Sequence, residues 1–237
     1  MNKPFQFKQF TIHQDRCAMK VGTDGTLLGA WAPLEHNPFS ILDIGAGTGL
    51  IALMLAQRSN AELVDALEID DAAYEQCVDN FEASPWGDRL FCYHASLLEF
   101  TEEIEDQYDL IVSNPPFYSE DYKSDDSQRD LARFADAMPF EHLIECAAAL
   151  LAPEGLFTII IPYKEYGSFT SIAKENGLYA NKALLVKGSP ESEIKRALIT
   201  FSRNESTVET TELTIETTRH QYTEDYINLT KEFYLKM

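Results

Sequence analysis

The chain has 237 residues, with 39 acidic against 19 basic side chains and a net charge of −20. That length suits one large α/β domain with additions, and such a surface repels polyanions at long range, so any nucleic-acid substrate must be held by a local basic patch. The four cysteines (Cys17, Cys77, Cys92, Cys146) form no C-x-x-C pair, no apolar run reaches the ~20 residues of a membrane span, and "MNKPFQFKQF" has no signal-peptide core; a cytoplasmic protein with reduced thiols, no metal and no membrane contact is expected.

Residues 1–38 precede the first core strand. Phe10 and Ile12 alternate with polar residues up to Asp15-Arg16, and Ala18 to Val21 follow, which predicts a hairpin. Thr23 and Asp24 then read as a helix cap ahead of "TLLGAWA". "FSILDIGAG" (39–47) is a strand entering a glycine turn, and "LIALMLAQR" (50–58) is an apolar helix. "LVDALEID" (63–70) is the second strand, after which Asp70 caps a helix whose Tyr74, Val78 and Phe81 repeat at helical spacing. "RLFCYHAS" (89–96) and "YDLIVSN" (108–114) are the third and fourth strands.

Residues 118–138 are polar and mixed in charge and read as a long loop or short helix. Pro139 and Gly155 bracket a helix over 139–155, "LFTIIIP" (156–162) is the fifth strand, and "KALLVKG" and "RALITFSR" are two more. In the tail, 206–237, Tyr222, Tyr226, Leu229 and Phe233 mark a final amphipathic helix. Strands alternating with helices imply an α/β fold: a seven-stranded, mostly parallel sheet covered on both faces, with a C-terminal antiparallel hairpin. The expected division is an extension (1–38), a core (39–205) and a C-terminal strand and helix packed on it (206–237).

In such a fold ligands bind at the carboxyl ends of the strands. Asp43 to Gly49, Glu68, Ser96 and Asn114 all fall there. Gly45, Gly47 and Gly49 let a ligand approach the backbone closely. The dinucleotide fingerprint G-x-G-x-x-G would put its third glycine at Leu50 instead. Asp43, within the strand, would oppose a pyrophosphate but suits a cation, and S-adenosylmethionine carries a sulfonium and an ammonium. Glu68 is placed to accept both ribose hydroxyls, as an acid at that position also does in NAD enzymes.

"IVSNPPFY" (111–118) ends the fourth strand with two prolines, which stiffen the turn. Its Asn-Pro-Pro-Phe, residues Asn114, Pro115, Pro116 and Phe117, resembles the catalytic motif of amino methyltransferases. An exocyclic amine shares its lone pair with its ring and is a poor nucleophile. The Asn114 side-chain oxygen and the Pro115 carbonyl can each accept one of its hydrogens, and Phe117 can stack on a flat base, an interaction of ~1–3 kcal/mol. Together with "DRCAMKVGTDG", "ILDIGAGTGLIALMLAQR" and "YDLIVSNPPFY", the chain is similar to the bacterial tRNA(Val) adenine-N6 methyltransferase family.

The resemblance runs along most of the chain and is weakest across 160–212. It implies a Rossmann-like class I methyltransferase fold, S-adenosylmethionine as cofactor, and methylation of the adenine just 3′ of the anticodon in a tRNA anticodon arm. It also implies that Thr23 and Asp24 touch the methionine part of the cofactor. Many relatives place an aspartate at the end of the third strand to meet the cofactor adenine; Ser96 or Leu97 stands there in this chain. Arg16 and Lys20 at the front, and Lys123, Arg129 and Arg133 after the catalytic turn, are candidate RNA contacts; Lys3, Lys8, Lys195, Arg196 and Arg203 are further ones. A monomer is expected. Ribosomal-RNA guanine-N2 and protein glutamine-N5 methyltransferases share the Asn-Pro-Pro motif, and a nucleoside-binding module without catalysis is the non-enzyme alternative.

Overall fold

The computed structural model describes residues 3–116 and 139–236. An N-terminal hairpin, β1 (Phe5–Gln6) and β2 (Thr11–Ile12), precedes helix α1 (Thr23–Trp31). Strands β3 (Ser40–Ile44), β4 (Leu63–Glu68), β5 (Leu90–His94) and β6 (Tyr108–Ser113) alternate with helices α2 (Leu50–Arg58), α3 (Asp71–Glu82) and α4 (Leu97–Glu103). Helix α5 (Phe140–Leu150), β7 (Leu151–Pro162), α6 (Tyr166–Glu175), β8 (Tyr179–Lys187) and β9 (Ile194–Ser202) complete the core. The tail holds β10 (Glu209–Thr214), a small hairpin of β11 (Glu216–Thr218) and β12 (Gln221–Tyr222), and α7 (Glu224–Thr230).

The sheet order is β10-β8-β9-β7-β6-β3-β4-β5. Only β9 runs against its neighbours, so the expected mostly parallel sheet with an antiparallel return is present. The sheet has eight strands rather than seven, because β10 pairs in parallel with β8 along all six of its residues and covers an edge that would otherwise carry unpaired amides. The central strands are apolar throughout because both faces are covered. On β3, Ile41 faces a core shared with α1, α2 and the two chain ends, while Leu42 faces one shared with α4, α5 and α6. Phe7, Phe10 and Ile12 from the front and Tyr226 and Phe233 from the tail lie in the same buried cluster as Leu53 and Met54 of α2.

Four sequence boundaries move. The hairpin closes over Phe5–Ile12, with Phe5 opposite Ile12, and not over 10–21. Residues 13–16 are instead held by buried amides of α3, whose bonds replace a strand ladder. Thr23 is the first residue of α1 and Gly22 the cap position, with no side-chain cap bond. The helix expected to reach Gly155 stops at Leu150, and Leu151 already pairs with Tyr108. Residues 152–155 form an irregularity in β7, and a Cβ at Gly155 would lie 2.8 Å from the Tyr108 carbonyl, so that glycine serves strand pairing and not a helix cap. The last helix spans only Glu224–Thr230, because Tyr222 belongs to β12.

Helix α1 packs closely on α2 through Gly29. A Cβ there would lie 2.7 Å from Met54 Sδ and 2.9 Å from Met54 Cβ, and Met54 is fully buried. Arg58 Nη1 ties the same turn down by donating to the carbonyls of Gly29 (2.8 Å) and Ala32 (3.0 Å). Gly29→Ala is therefore expected to lower stability by about 1–3 kcal/mol through overpacking, read as a drop in the urea midpoint at unchanged slope.

Candidate active site

The glycine turn follows β3 at its carboxyl end. Gly45, Gly47 and Gly49 have φ of +73°, +56° and +78°, the left-handed region where a Cβ is strained. Gly45 and Gly47 have nothing within 4 Å of a would-be Cβ, so the turn presents bare backbone to open space. Gly49 is held for a different reason: a Cβ there would strike Phe81 Cε1 at 2.5 Å and Cys77 Sγ at 2.9 Å. Two of the three glycines thus face outward and the third packs inward on α3.

Asp43 lies beneath this turn and is fully buried. Its Oδ2 accepts from the Ala52 amide in the first turn of α2 (3.1 Å), while Oδ1 has no protein partner. Burial pushes its carboxyl from 3.8 up to about 7, against the Ala52 amide and with help from Glu68. Glu68, at the end of β4, accepts from the amides of Gly47 (Oε2, 2.7 Å), Ile69 and Asp70 (Oε1, both 2.9 Å). A carboxylate has about four lone-pair sites, so three are already committed to shaping the turn. An unpartnered buried carboxylate oxygen beneath an open glycine backbone, beside a second acid, fits a ligand that is both cationic and hydroxylated.

Asn114 follows the last residue of β6 and is half-buried; Pro115 is buried and Pro116 exposed. Parallel pairing sets Ile44 opposite Ser113, whose Oγ donates to the Ile44 carbonyl (3.0 Å). The glycine turn and Asn114 therefore leave the sheet from adjacent strands at the same level. Helix α1 closes the third side: a Cβ on Gly25 would lie 3.2 Å from Leu50 and 3.9 Å from Asn114 Nδ2.

The other sequence candidates divide. Thr23 and Asp24 open α1 in the same turn as Gly25, but the Asp24 carboxylate is engaged by Arg196 Nε at 2.8 Å. Ser96 caps α4, its Oγ meeting Glu99 Oε2 (2.7 Å) and the Glu99 amide (3.2 Å), so its hydroxyl completes a capping box. Arg16 is paired with Glu75 and Asp79 on α3. Arg203 donates to the carbonyls of Ala148 (2.6 Å) and Leu151 (2.8 Å) at the end of α5. Lys20 is exposed just ahead of α1. Phe117, Lys123, Arg129 and Arg133 lie outside the described residues.

Reasoning from sequence missed two pairs. Gln76 and Asn80 are buried on α3. Asn80 accepts from the His13 amide and donates to the carbonyls of His13 and Thr48, all at 2.9 Å, which ties the front segment to the glycine turn. The signal was there: positions 73, 76, 77, 80 and 81 share one helical face, so two amides among them are core-facing. Ile69 and Leu98 are large apolar side chains, 59% and 49% exposed, directly after Glu68 and in the first turn of α4. Among the described residues no cluster of His, Cys, Asp and Glu is placed to hold a metal, and no helix is long and apolar enough to cross a membrane.

Residues 27–175 match the model of the methyltransferase small domain. Along its full length the chain is similar to proteins named tRNA1(Val) (adenine(37)-N6)-methyltransferase. The one from Flavobacterium johnsoniae is 69% identical over 98% of this chain and 100% of its own. That from Bacteroides fragilis is 47% identical over 100% of both. The chain belongs to the tRNA1(Val) (adenine(37)-N6)-methyltransferase family. Among solved structures, a predicted O-methyltransferase from Agrobacterium tumefaciens superposes with a TM-score of 0.66 at 20% identity, over 89% of this chain and 96% of that one. A ribosomal protein L11 methylase from Lactobacillus delbrueckii gives 0.55 at 17%, over 76% and 78%. These two share the fold of the family, the class I methyltransferase sheet.

The state of Asp43 generates a test. Its folded value lies above its unfolded one, so its contribution to stability is complete below the unfolded carboxylate range and is lost as pH rises through about 7. A cation bound beside it would expel the proton, so affinity for a cationic ligand should rise through the same window. In Asp43→Asn both dependences should flatten between pH 5 and 8. Urea midpoints and calorimetry with S-adenosylmethionine across that range check it; an undiminished pH dependence in the variant would assign the titration elsewhere.

Proposed function

We propose that this chain transfers a methyl group from S-adenosylmethionine to the exocyclic N6 amine of the adenine 3′ of the anticodon in tRNA(Val). The observation that carries the substrate is the full-length agreement with relatives bearing that name. The geometry supports the reaction class, because Asn114 stands at the level of the glycine turn with α1 against it. S-adenosylmethionine, when bound, supplies a methyl group already activated by positive sulfur.

The chain's own residues bind and orient. The open backbone at Gly45 and Gly47 and the buried Asp43 would receive the cationic amino-acid part, and Glu68 retains about one lone-pair site for a ribose hydroxyl. Ile69 and Leu98 offer apolar faces for the cofactor adenine, a role for which Ser96, engaged by its own cap, is poorly suited. Asn114 Oδ1 and the Pro115 carbonyl hold the two amine hydrogens of the target base, fixing its nitrogen and turning its lone pair toward the methyl donor. Neither group takes a proton in the transfer step: both act as preorganised acceptors, and the methylated amine then loses one hydrogen to solvent as a proton. Pro116 stiffens the turn, so little ordering remains to be done when the base arrives.

Charge sets how RNA is held. At −20 the body of the protein repels it. Arg16 is neutralised by two acids of α3 and Arg196 is paired with Asp24, so the Coulomb attraction is assigned to Lys123, Arg129 and Arg133, which follow the catalytic turn in the chain. The extensions at 1–38 and 206–237 flank the core as the RNA-facing parts. The chain works in the cytoplasm and as a monomer.

Asn114→Ala should lower kcat by about 10²- to 10³-fold, the cost of losing one preorganised polar contact. Cofactor affinity should change little, since the contact is made with the target amine. Labelled methyl donor with tRNA lacking the modification measures the first, and calorimetry the second. Nucleoside mapping of the labelled product decides the base; label in guanine, or in protein, would replace this reading.

A further inference from the structure

The front hairpin, the start of α1 and the tail enclose a groove of about 590 Å³ that the proposed chemistry does not use. This is within the range of ~300–1,000 Å³ common for ligand sites. Four rings line it, Phe5, Tyr222, Tyr226 and Tyr234, together with the apolar Val21 and Ile215. Tyr222 and Tyr226 lie 5.1 Å apart between centroids, and Tyr234 meets Phe5 edge-on at 6.1 Å. Tyr222 is 42% exposed, whereas Tyr226 is buried, so one ring is presented and the other supports it.

The groove and the active site border the same first turn of α1. Its wall includes Gly22 and Thr23, and Gly25, in the same first turn of α1, stands against Asn114. At ~1.5 Å of rise per helical residue, Thr23 and Gly25 are separated by about 3 Å along the axis. The platform is also held rigidly. The Thr223 amide donates to the Ile215 carbonyl (2.9 Å), the Ile215 amide to Lys187 (2.9 Å), and the Lys8 amide to Phe233 (2.8 Å). The presented ring is therefore anchored to the sheet edge and to the front hairpin.

Its chemistry selects a planar, uncharged heterocycle. Glu216 lines the groove and would repel a phosphate, but it can accept from a ring N–H or amine; its Oε1 already takes the His220 amide at 3.3 Å. Lys236, at the rim, is the cation available to a flanking phosphate. A protein at −20 gains little from phosphate contacts, and stacking is the sequence-tolerant alternative. We propose that this groove stacks an unpaired nucleobase of the RNA loop, a neighbour of the methylated adenine, with Tyr222 as the stacking ring. This rests on the tRNA reading above.

The test uses the full chain and anticodon stem-loop RNAs, intact or with an abasic site on either side of the target adenine. Tyr222→Ala should raise the Kd for the intact stem-loop by about tenfold, the scale of one lost stack. Cofactor affinity and single-turnover rate at saturating RNA should hold. Tyr222→Phe keeps the ring and should bind as wild type. One of the two abasic RNAs should bind wild type about tenfold more weakly, yet cost Tyr222→Ala nothing further. Unchanged RNA affinity in Tyr222→Ala, equal losses in the Ala and Phe variants, or additive losses with both abasic RNAs would each overturn the proposal. Failure of wild type to methylate the intact stem-loop would instead overturn the tRNA reading, and this one with it.

Discussion

Parallel pairing of β3 with β6, Ile44 opposite Ser113, is the constraint on which the site depends. The glycine turn and the Asn-Pro-Pro turn are separated by about seventy residues, yet they leave the sheet from neighbouring strands at one level. No contact between the two turns is needed to hold them there; the ladder does it, supported by Ser113 Oγ on the Ile44 carbonyl. Both strands are buried on both faces, so a slip of one residue would turn the apolar side chains of one core into the other. Register is thereby set by the two hydrophobic cores, and the spacing of the glycine turn and Asn114 is set by register.

The buried carboxylate at Asp43 is costly in isolation, and its geometry shows what the cost maintains. One oxygen fastens the start of α2, and the other is left without a protein partner. Glu68 does related work from the next strand, taking three amides of its own turn and the glycine turn. The apo site is therefore a preformed cradle in which burial, with a smaller contribution from Glu68, disfavours the Asp43 charge. A cationic ligand offsets that cost, so part of its affinity comes from a buried carboxylate already in place. The same arrangement disfavours a pyrophosphate, which would add charge of the same sign.

What could be read from the sequence was whatever depended on local pattern. The central strands, the Asp70 cap, whose side chain accepts from the Ala73 amide at 2.8 Å, and the position of Asn114 follow from apolar runs and turn residues. Misplaced features depended on partners distant in the chain. Gly155 reads as a helix stop but stands against Tyr108; Tyr222 is the local exception, taken up by a short hairpin that pairs it with Glu216. Arg16 looked available to RNA, but α3 brings Glu75 and Asp79 to it. Gln76 and Asn80 were the informative omission: polar residues in phase with Cys77 and Phe81 mark a buried hydrogen-bond station, and no partner for it can be guessed from one chain.

Those amides bear on how the enzyme is built around its core. Asn80 spends its capacity on His13 and Thr48, and Gln76 accepts from the Asp15 and Arg16 amides, so the front segment is fastened to the cofactor turn by polar bonds within an apolar setting. Buried bonds of this kind are directional, and leaving one partner unsatisfied costs ~1–3 kcal/mol. The front segment is thus fixed in orientation as well as position. The tail is fastened to the front in turn, through Phe7 opposite Tyr234 and the Lys8 amide on the Phe233 carbonyl. A rigid path therefore runs from the glycine turn through residues 13–16 and the hairpin to the tyrosines of the tail. In a protein whose net charge opposes its substrate, that rigidity matters: a preformed stacking ring on the tail needs little ordering when a base arrives, so it contributes affinity where Coulomb attraction is weak.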